Sequence, residues 1–277
     1  MIFVLAVALS ITEEIFFYLV KSVFSMNSPL IMAASPIWQS KAELFSKALG
    51  FVCLSGDEPS QLLESASSLG TGLYLIVGER LRLDNKNGLA FEIDFDLDQI
   101  NYRKREIGRK NLLARALGIE KGITRVVDLS CGLSRDSVLL SQLGFQVQAY
   151  ERCAVLWYML VEAQKLSTRP EVKTIQFINE NSLNVLSRLS QAELRKQSFY
   201  FDPMFPETKK DALPKKEMQI FRELVGPDLD SVDVAKRAAE VKVARLVIKR
   251  PRKAEPLFDK PRYFLESRLI RYDVYQF

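Results

Sequence analysis

Apolar and polar positions follow two different rhythms along this chain, and the change falls near residue 100. Between Pro36 and about Leu97 the apolar runs are short and separated by turn-forming residues. Lys41–Leu49 has helical spacing and stops at Gly50, whereas Phe51–Ser55, Leu73–Val77, Arg80–Leu83 and Leu89–Phe95 have the spacing of strands. The last two are joined through Asp84-Asn85-Lys86-Asn87-Gly88. This predicts a small α+β lobe over 29–100, built on antiparallel pairing. A basic stretch, Tyr102-Arg-Lys-Arg-Glu-Ile-Gly-Arg-Lys110, then leads into a helical run at Asn111–Leu117 closed by Gly118.

From Thr124 onward apolar strands alternate with amphipathic helices. Strands are expected at Arg125–Leu129, Gln146–Tyr150, Thr174–Ile178, Ser198–Phe201 and Val243–Lys249, with a closing pair near Tyr263–Ser267 and Leu269–Gln276. Helices are expected at Arg135–Leu143, Cys153–Leu166, Leu183–Leu194, Lys215–Leu224 and Val232–Val241. The alternation predicts an α/β, Rossmann-like domain over 101–277, a mostly parallel seven-stranded sheet with helices on both faces. Residues 1–28 stand apart. Their apolar run is broken by Glu13 and Glu14, is too short to span a bilayer, and lacks the basic start and cleavage site of a signal peptide. It reads as a start called too early, with Met26 the true beginning, or as an extra helix or membrane-surface anchor.

Composition narrows the chemistry more than it narrows the fold. The chain of 277 residues has no histidine, which excludes Ser-His-Asp and Cys-His catalysis and His-ligated zinc. Cys53, Cys131 and Cys153 are far apart and form no metal or redox pair, so no metal site is expected and a reducing cytoplasm suits the chain. The net charge of +5 favours a nucleic-acid partner only slightly until its placement is considered.

In a doubly wound sheet, ligands sit beyond the carboxyl ends of the strands, so three strand ends matter. The first is Val126-Val-Asp-Leu-Ser-Cys-Gly-Leu-Ser-Arg-Asp136, where Asp128 ends a strand and the small residues Ser130, Cys131 and Gly132 precede a helix. One glycine rather than three suits a nucleoside amino acid better than a pyrophosphate. The second is Glu151, which ends the next strand 23 positions on, where such folds bind both ribose hydroxyls. The third is Ser198-Phe-Tyr-Phe-Asp-Pro-Met-Phe-Pro206, similar to the Asp/Asn-Pro-Pro-Tyr/Phe motif of methyltransferases that act on exocyclic amines. Pro203 stiffens the tip so that Asp202 and a carbonyl can accept an amine's hydrogen bonds, and Phe205 can stack on an unpaired base. Asp128, Glu151 and Asp202 occur in methyltransferase order. Methyl transfer from S-adenosylmethionine (SAM) needs in-line approach and neither a metal nor a histidine.

Lysines and arginines cluster at 103–115, at Lys209-Lys210 with Lys215-Lys216, and at Lys249-Arg250-Pro-Arg-Lys253. These runs are candidates for a phosphate-lined groove, with Lys209, Lys210, Lys215, Lys216, Lys249 and Arg250 as RNA-binding residues.

Asp202-Pro-Met-Phe-Pro206, Lys215-Lys-Glu-Met218, Leu224-Val-Gly-Pro-Asp-Leu229, Val247-Ile-Lys-Arg-Pro251 and Arg271-Tyr-Asp-Val-Tyr275 together resemble the RsmJ-type methyltransferases from about Asn101 to the C-terminus. The resemblance implies a class I methyltransferase fold with a small N-terminal lobe. It also implies SAM as cofactor and N2-methylation of a guanine in small-subunit (16S) ribosomal RNA or its assembling particle, with no stable membrane partner. Position by position it implies cofactor contacts from Gly108, Arg109, Arg135, Asp136, Glu151, Arg152, Asn181 and Ser182, beside Asp128, Ser130, Gly132 and Asp202. The catalytic residues would be Asp202, Pro203 and Phe205. Two departures stand out: Ser134 replaces the family's second glycine, and Glu106-Ile107 interrupt the glycine-rich run before Gly108. Two other readings remain open, an amine methyltransferase for another base or for DNA, and a non-catalytic RNA-binding protein of ribosome assembly.

Overall fold

The computed structural model describes residues 29–54, 72–97, 111–204 and 216–277, which fall into two compact units. No helix among them is long and apolar enough to cross a membrane.

The first unit contains the described residues up to Glu92 and the helix Lys216–Val225. Its sheet has the order β2-β1-β3-β4-β5, with β1 Leu30–Ala33, β2 Cys53–Leu54, β3 Leu73–Val77, β4 Leu81–Asn85 and β5 Ala90–Glu92. β3, β4 and β5 are antiparallel, as the turn-rich pattern predicts, but β1 pairs in parallel with both β2 and β3. The run Leu30-Ile-Met-Ala33 is buried throughout, so it carries no period-two signal and is silent as a strand in the sequence. Helix α1, Gln39–Leu49, lies against β1 and ends at Gly50, whose φ of 71° requires the left-handed backbone glycine tolerates. The helix Lys216–Val225 packs on β4 and β5, where Glu223 accepts from the Asn85 amide at 2.9 Å. Its amphipathic pattern predicts the helix but not the sheet it covers, which is this one rather than the larger one.

The second unit runs from Ile93. Phe95 stacks on Phe177, and Asp96 accepts from the Ser167 hydroxyl at 2.6 Å and the Thr168 N–H at 2.9 Å. Its sheet comprises β6 Arg125–Asp128, β7 Gln146–Glu151, β8 Gln176–Asn179, β9 Ser198–Phe201, β10 Leu246–Pro251, β11 Tyr263–Glu266 and β12 Ile270–Tyr275. The order is β11-β12-β10-β9-β6-β7-β8, parallel from β8 to β10, with β12 antiparallel to both of its neighbours. β6 therefore lies at the switch point, with β7 on one side and β9 on the other, where a doubly wound sheet opens a crevice.

Seven α-helices among the described residues accompany this sheet, one of them the single turn Pro170–Lys173. α2, Leu112–Leu117, is capped by the Asn111 side chain, which accepts from Leu113 N and Ala114 N. α3 is Arg135–Gln142 and α4 is Ala154–Leu166. The single helix expected over Leu183–Leu194 is two, α5 Ser182–Arg188 and α6 Gln191–Lys196. Ser190 separates them by forming a capping box with Glu193, whose backbone N–H it satisfies while its own is taken by the Glu193 carboxylate. α7 is Ser231–Glu240. Val127, Phe199, Leu246 and Ile248 of the sheet are wholly buried with Val185 and Leu186 of α5 and Ala235 and Ala238 of α7. Burying each large side chain of this kind contributes about 2 kcal/mol, and this packing holds the strand ends in place.

Candidate active site

The register aligns Asp128 with Ala149 of β7 and Tyr200 of β9, so Asp128, Glu151 and Asp202 emerge at one end of the sheet. Cross-links tie these ends together. The Asp202 N–H donates to Ser130 Oγ at 2.7 Å, joining the third strand end to the first. Gly132 N–H donates to Glu151 Oε2 at 3.1 Å and Cys153 N–H to Oε1 at 2.8 Å, joining the first end to the second. Ser182 Oγ donates to the Leu129 carbonyl, bringing in the start of α5, whose cap is Asn181.

Asp128 is almost fully buried, with the Ser130 N–H and the Ser137 hydroxyl donating to its two oxygens at 3.0 and 2.5 Å. Burial pushes its carboxyl up to about 7, with a further push from Asp136 and Asp202. Glu151 is likewise buried and raised to about 7, again because burial outweighs the two N–H bonds it accepts. Each of its oxygens has a second lone pair, the capacity that two ribose hydroxyls would use.

Asp136, at the start of α3, accepts from Tyr200 Oη at 2.6 Å and from Lys249 Nζ at 2.8 Å. The same ammonium donates to Asp202 Oδ2 at 2.7 Å. Burial alone would lower the Lys249 pKa, but the two carboxylates outweigh it and hold the group above its ordinary value, so it stays cationic at neutral pH. Four carboxyl groups, of Asp128, Asp136, Glu151 and Asp202, and one ammonium thus share this end of the sheet, an excess of acid that complements the sulfonium and α-ammonium groups of SAM. The buried Ser134 hydroxyl has no nitrogen or oxygen partner among the described residues. It lies two residues from Gly132, in a turn where both residues have positive φ. This donor set and turn fit an amino-acid-bearing nucleoside.

Ser134 adopts φ 59° and ψ 19°, the left-handed conformation, which explains why glycine suits that position. The serine keeps the turn at a conformational cost.

Other expected site residues fall elsewhere. Lys249 and Arg250, expected to face phosphates, are both turned into the fold. The Lys249 side chain is 18% exposed between its carboxylates, and Arg250 is bound through Nε and a terminal nitrogen to the Glu255 carbonyl at 3.0 and 2.6 Å. Alternation along β10 sends neighbouring side chains to opposite faces, and a charge run in sequence does not reveal that split. Arg152 is engaged by Asp228 at 2.6 Å and Asp230 at 2.9 Å, while Arg135 lies exposed at the start of α3. Gly108, Arg109, Phe205, Lys209, Lys210 and Lys215 lie outside the described residues, and Lys216 opens the helix of the smaller unit.

Asp228 was not expected. Its Oδ2 accepts from Met204 N–H at 2.6 Å while Oδ1 pairs with Arg152, so it clips the Asp202-Pro203-Met204 loop to the residue after Glu151. The only sequence signal was its place in the Gly226-Pro-Asp228 block.

Residues 64–277 match the family described as putative SAM-dependent methyltransferase. A Bdellovibrio bacteriovorus protein named ribosomal RNA small subunit methyltransferase J is 43% identical over 203 residues, covering 73% of this chain and 80% of the relative. One of the same name from Pseudomonas paraeruginosa is 33% identical over 254 residues, covering 88% and 93%. Among solved structures, a SAM-dependent methyltransferase from Neisseria gonorrhoeae superposes with a TM-score of 0.65 at 22% identity, over 89% of this chain and 95% of that one, a likeness of fold. With strand order, acids and relatives in agreement, the chain belongs to the ribosomal RNA small subunit methyltransferase J family of SAM-dependent methyltransferases.

Proposed function

We propose that the protein transfers a methyl group from SAM to the N2 amine of a guanine in small-subunit ribosomal RNA. The observation that carries this reading is the convergence of Asp128, Asp136, Glu151 and Asp202 at one end of the sheet, with Pro203 immediately after the last of them. The names of the relatives supply the RNA class. The acid-proline tip supplies the amine, and the likeness to RsmJ-type enzymes supplies guanine.

When bound, SAM supplies an electrophilic methyl group on a sulfonium centre. Glu151 would take the ribose hydroxyls, while Gly132, Ser134 and Asp136 would receive the amino-acid portion. Asp202 and the carbonyl beside it would accept hydrogen bonds from the amine, drawing its lone pair out of conjugation and stabilising positive charge as it develops on nitrogen. Lys249 keeps Asp202 in one place, and Pro203 removes a soft torsion from the tip. The amine's proton can leave after transfer, which is why a chain without histidine suffices. Phe205 is the residue proposed to stack on the base. Cytoplasmic location follows from such a substrate.

The test is tritiated-methyl transfer to small-subunit RNA and to DNA side by side, with nucleoside analysis of the product. Label in N2-methylguanosine from RNA is expected; label in methyladenosine or methylcytidine, or in DNA, would overturn the assignment.

A further inference from the structure

The inward turn of Lys249 and Arg250 leaves the basic run at the end of β10 only partly explained, because Arg252 and Lys253 continue it and both are exposed. Arg252 N–H donates to the Leu269 carbonyl at 3.0 Å, which brings the tip of the β11–β12 hairpin beside it. That tip, closed by Ser267 N–H to the Ile270 carbonyl at 2.8 Å, presents Arg268 and a three-quarters exposed Leu269. Since β10 is parallel to β9 and β12 is antiparallel to β10, both segments lie at the end of the sheet where Asp202 emerges. Glu266 pairs with Arg252 at 3.0 Å, and between Pro251 and Arg271 five basic residues face three acidic ones, a net of +2, with Arg252, Lys253 and Arg268 gathered at this end.

We infer that Arg252, Lys253 and Arg268 form the surface that receives the RNA phosphates flanking the target base. The inference rests on the reading of the site as an RNA methyltransferase and adds where the RNA lies. Arg252 follows Lys249, the partner of Asp202, by three residues, or about 10 Å of strand. A base whose amine sits at Asp202 has its own backbone within that reach. Leu269 offers an apolar contact to a neighbouring base left unstacked when the target is extruded.

The test is a double variant, Lys253→Gln with Arg268→Gln, in the full chain. The probe is unmodified small-subunit rRNA from cells lacking the protein, and binding is followed from 0.05 to 0.5 M salt. Two lost phosphate contacts should lower the slope of log affinity against log salt by about 1.4–1.8 and weaken binding roughly 15- to 30-fold at 0.15 M. SAM affinity should stay at the wild-type level. A matched control, Arg125→Gln with Lys196→Gln, removes the same charge from the cleft at the opposite, amino-terminal end of the strands and should leave the slope unchanged. A wild-type slope in the first variant, or an equal loss in both, would overturn the inference. Failure of the wild-type protein to methylate this RNA would instead overturn the functional reading, so the two outcomes stay distinct.

Discussion

Lys249 is the residue whose removal separates a role inside the active site from a role on the RNA surface. In Lys249→Met the carbon chain is roughly conserved and the ammonium is lost from between two carboxylates at 2.8 and 2.7 Å, whose side chains are 10% and 32% exposed. Removing one partner of a fully buried pair costs 3–5 kcal/mol. Asp202 is partly screened by water, so the lower figure applies, about 3 kcal/mol. In a domain of this size that lowers Tm by roughly 6–12 °C. The deficit should shrink as pH falls, because an uncompensated carboxylate can take up a proton.

Turnover should fall more than binding does. With Asp202 unheld, a displacement of about 1 Å at the acceptor is enough to lower kcat about 100-fold, whereas the KM for RNA and the salt slope should not move. Lys249→Arg keeps a cation in place and should recover part of kcat. The assay is steady-state methyl transfer at two salt concentrations, with thermal unfolding of the cofactor-free protein alongside. Wild-type kcat together with a raised KM and a shallower salt slope would refute the placement and return Lys249 to phosphate binding.

Four further outcomes follow from the same geometry. Because burial raises the Asp128 and Glu151 carboxyls to about 7, the folded protein holds protons the unfolded chain gives up near pH 4; stability should therefore fall as pH rises from about 4 to 7 and level off above, in pH-dependent thermal melts. SAM affinity should move the other way, rising about tenfold between pH 6 and 8 for each of these groups that binds in its ionised form, as calorimetry at the two pH values would register. Ser134→Gly relieves the left-handed strain, so Tm should rise by about 2–4 °C, while loss of the hydroxyl offered to the amino-acid portion of SAM should weaken cofactor binding about fivefold, read by calorimetry. Glu151→Ala should weaken SAM binding about 100-fold, while Asp202→Ala abolishes turnover with SAM affinity nearly intact; equal effects of the two on affinity would count against the division of labour.

The acids at the strand ends were legible because local patterns mark them: an apolar run, then a carboxylate, then small or proline residues. Asp128, Glu151 and Asp202 were found that way. What was not legible depends on which face a residue takes or on distant partners. In Lys249-Arg250-Pro-Arg-Lys253 nothing in the sequence distinguishes the lysine drawn inward by Asp136 and Asp202 from the arginine and lysine left outside. Asp228 acts on Met204 from 24 positions away, and its role exists only once β7 and β9 flank β6. Leu30–Ala33, buried along its whole length, had no alternation to betray it.

The cross-links at the strand ends bear on how the site works. Ser130 Oγ holds the Asp202 backbone, Asp228 holds the Met204 backbone, and Lys249 holds one oxygen of Asp202. Two of the three act on main-chain N–H groups, so the loop is fixed without using the carbonyls that a substrate amine would need. The third holds a carboxylate that would otherwise turn freely toward water. An acceptor fixed in this way need not reorganise as charge develops on the amine nitrogen, and that saved reorganisation is the main electrostatic contribution such a site can make. It also explains why the cluster tolerates a buried ammonium within reach of a cationic cofactor. Without Lys249, the charges of Asp136 and Asp202 would stand without their shared cation beside Asp128, whose carboxyl they already push upward.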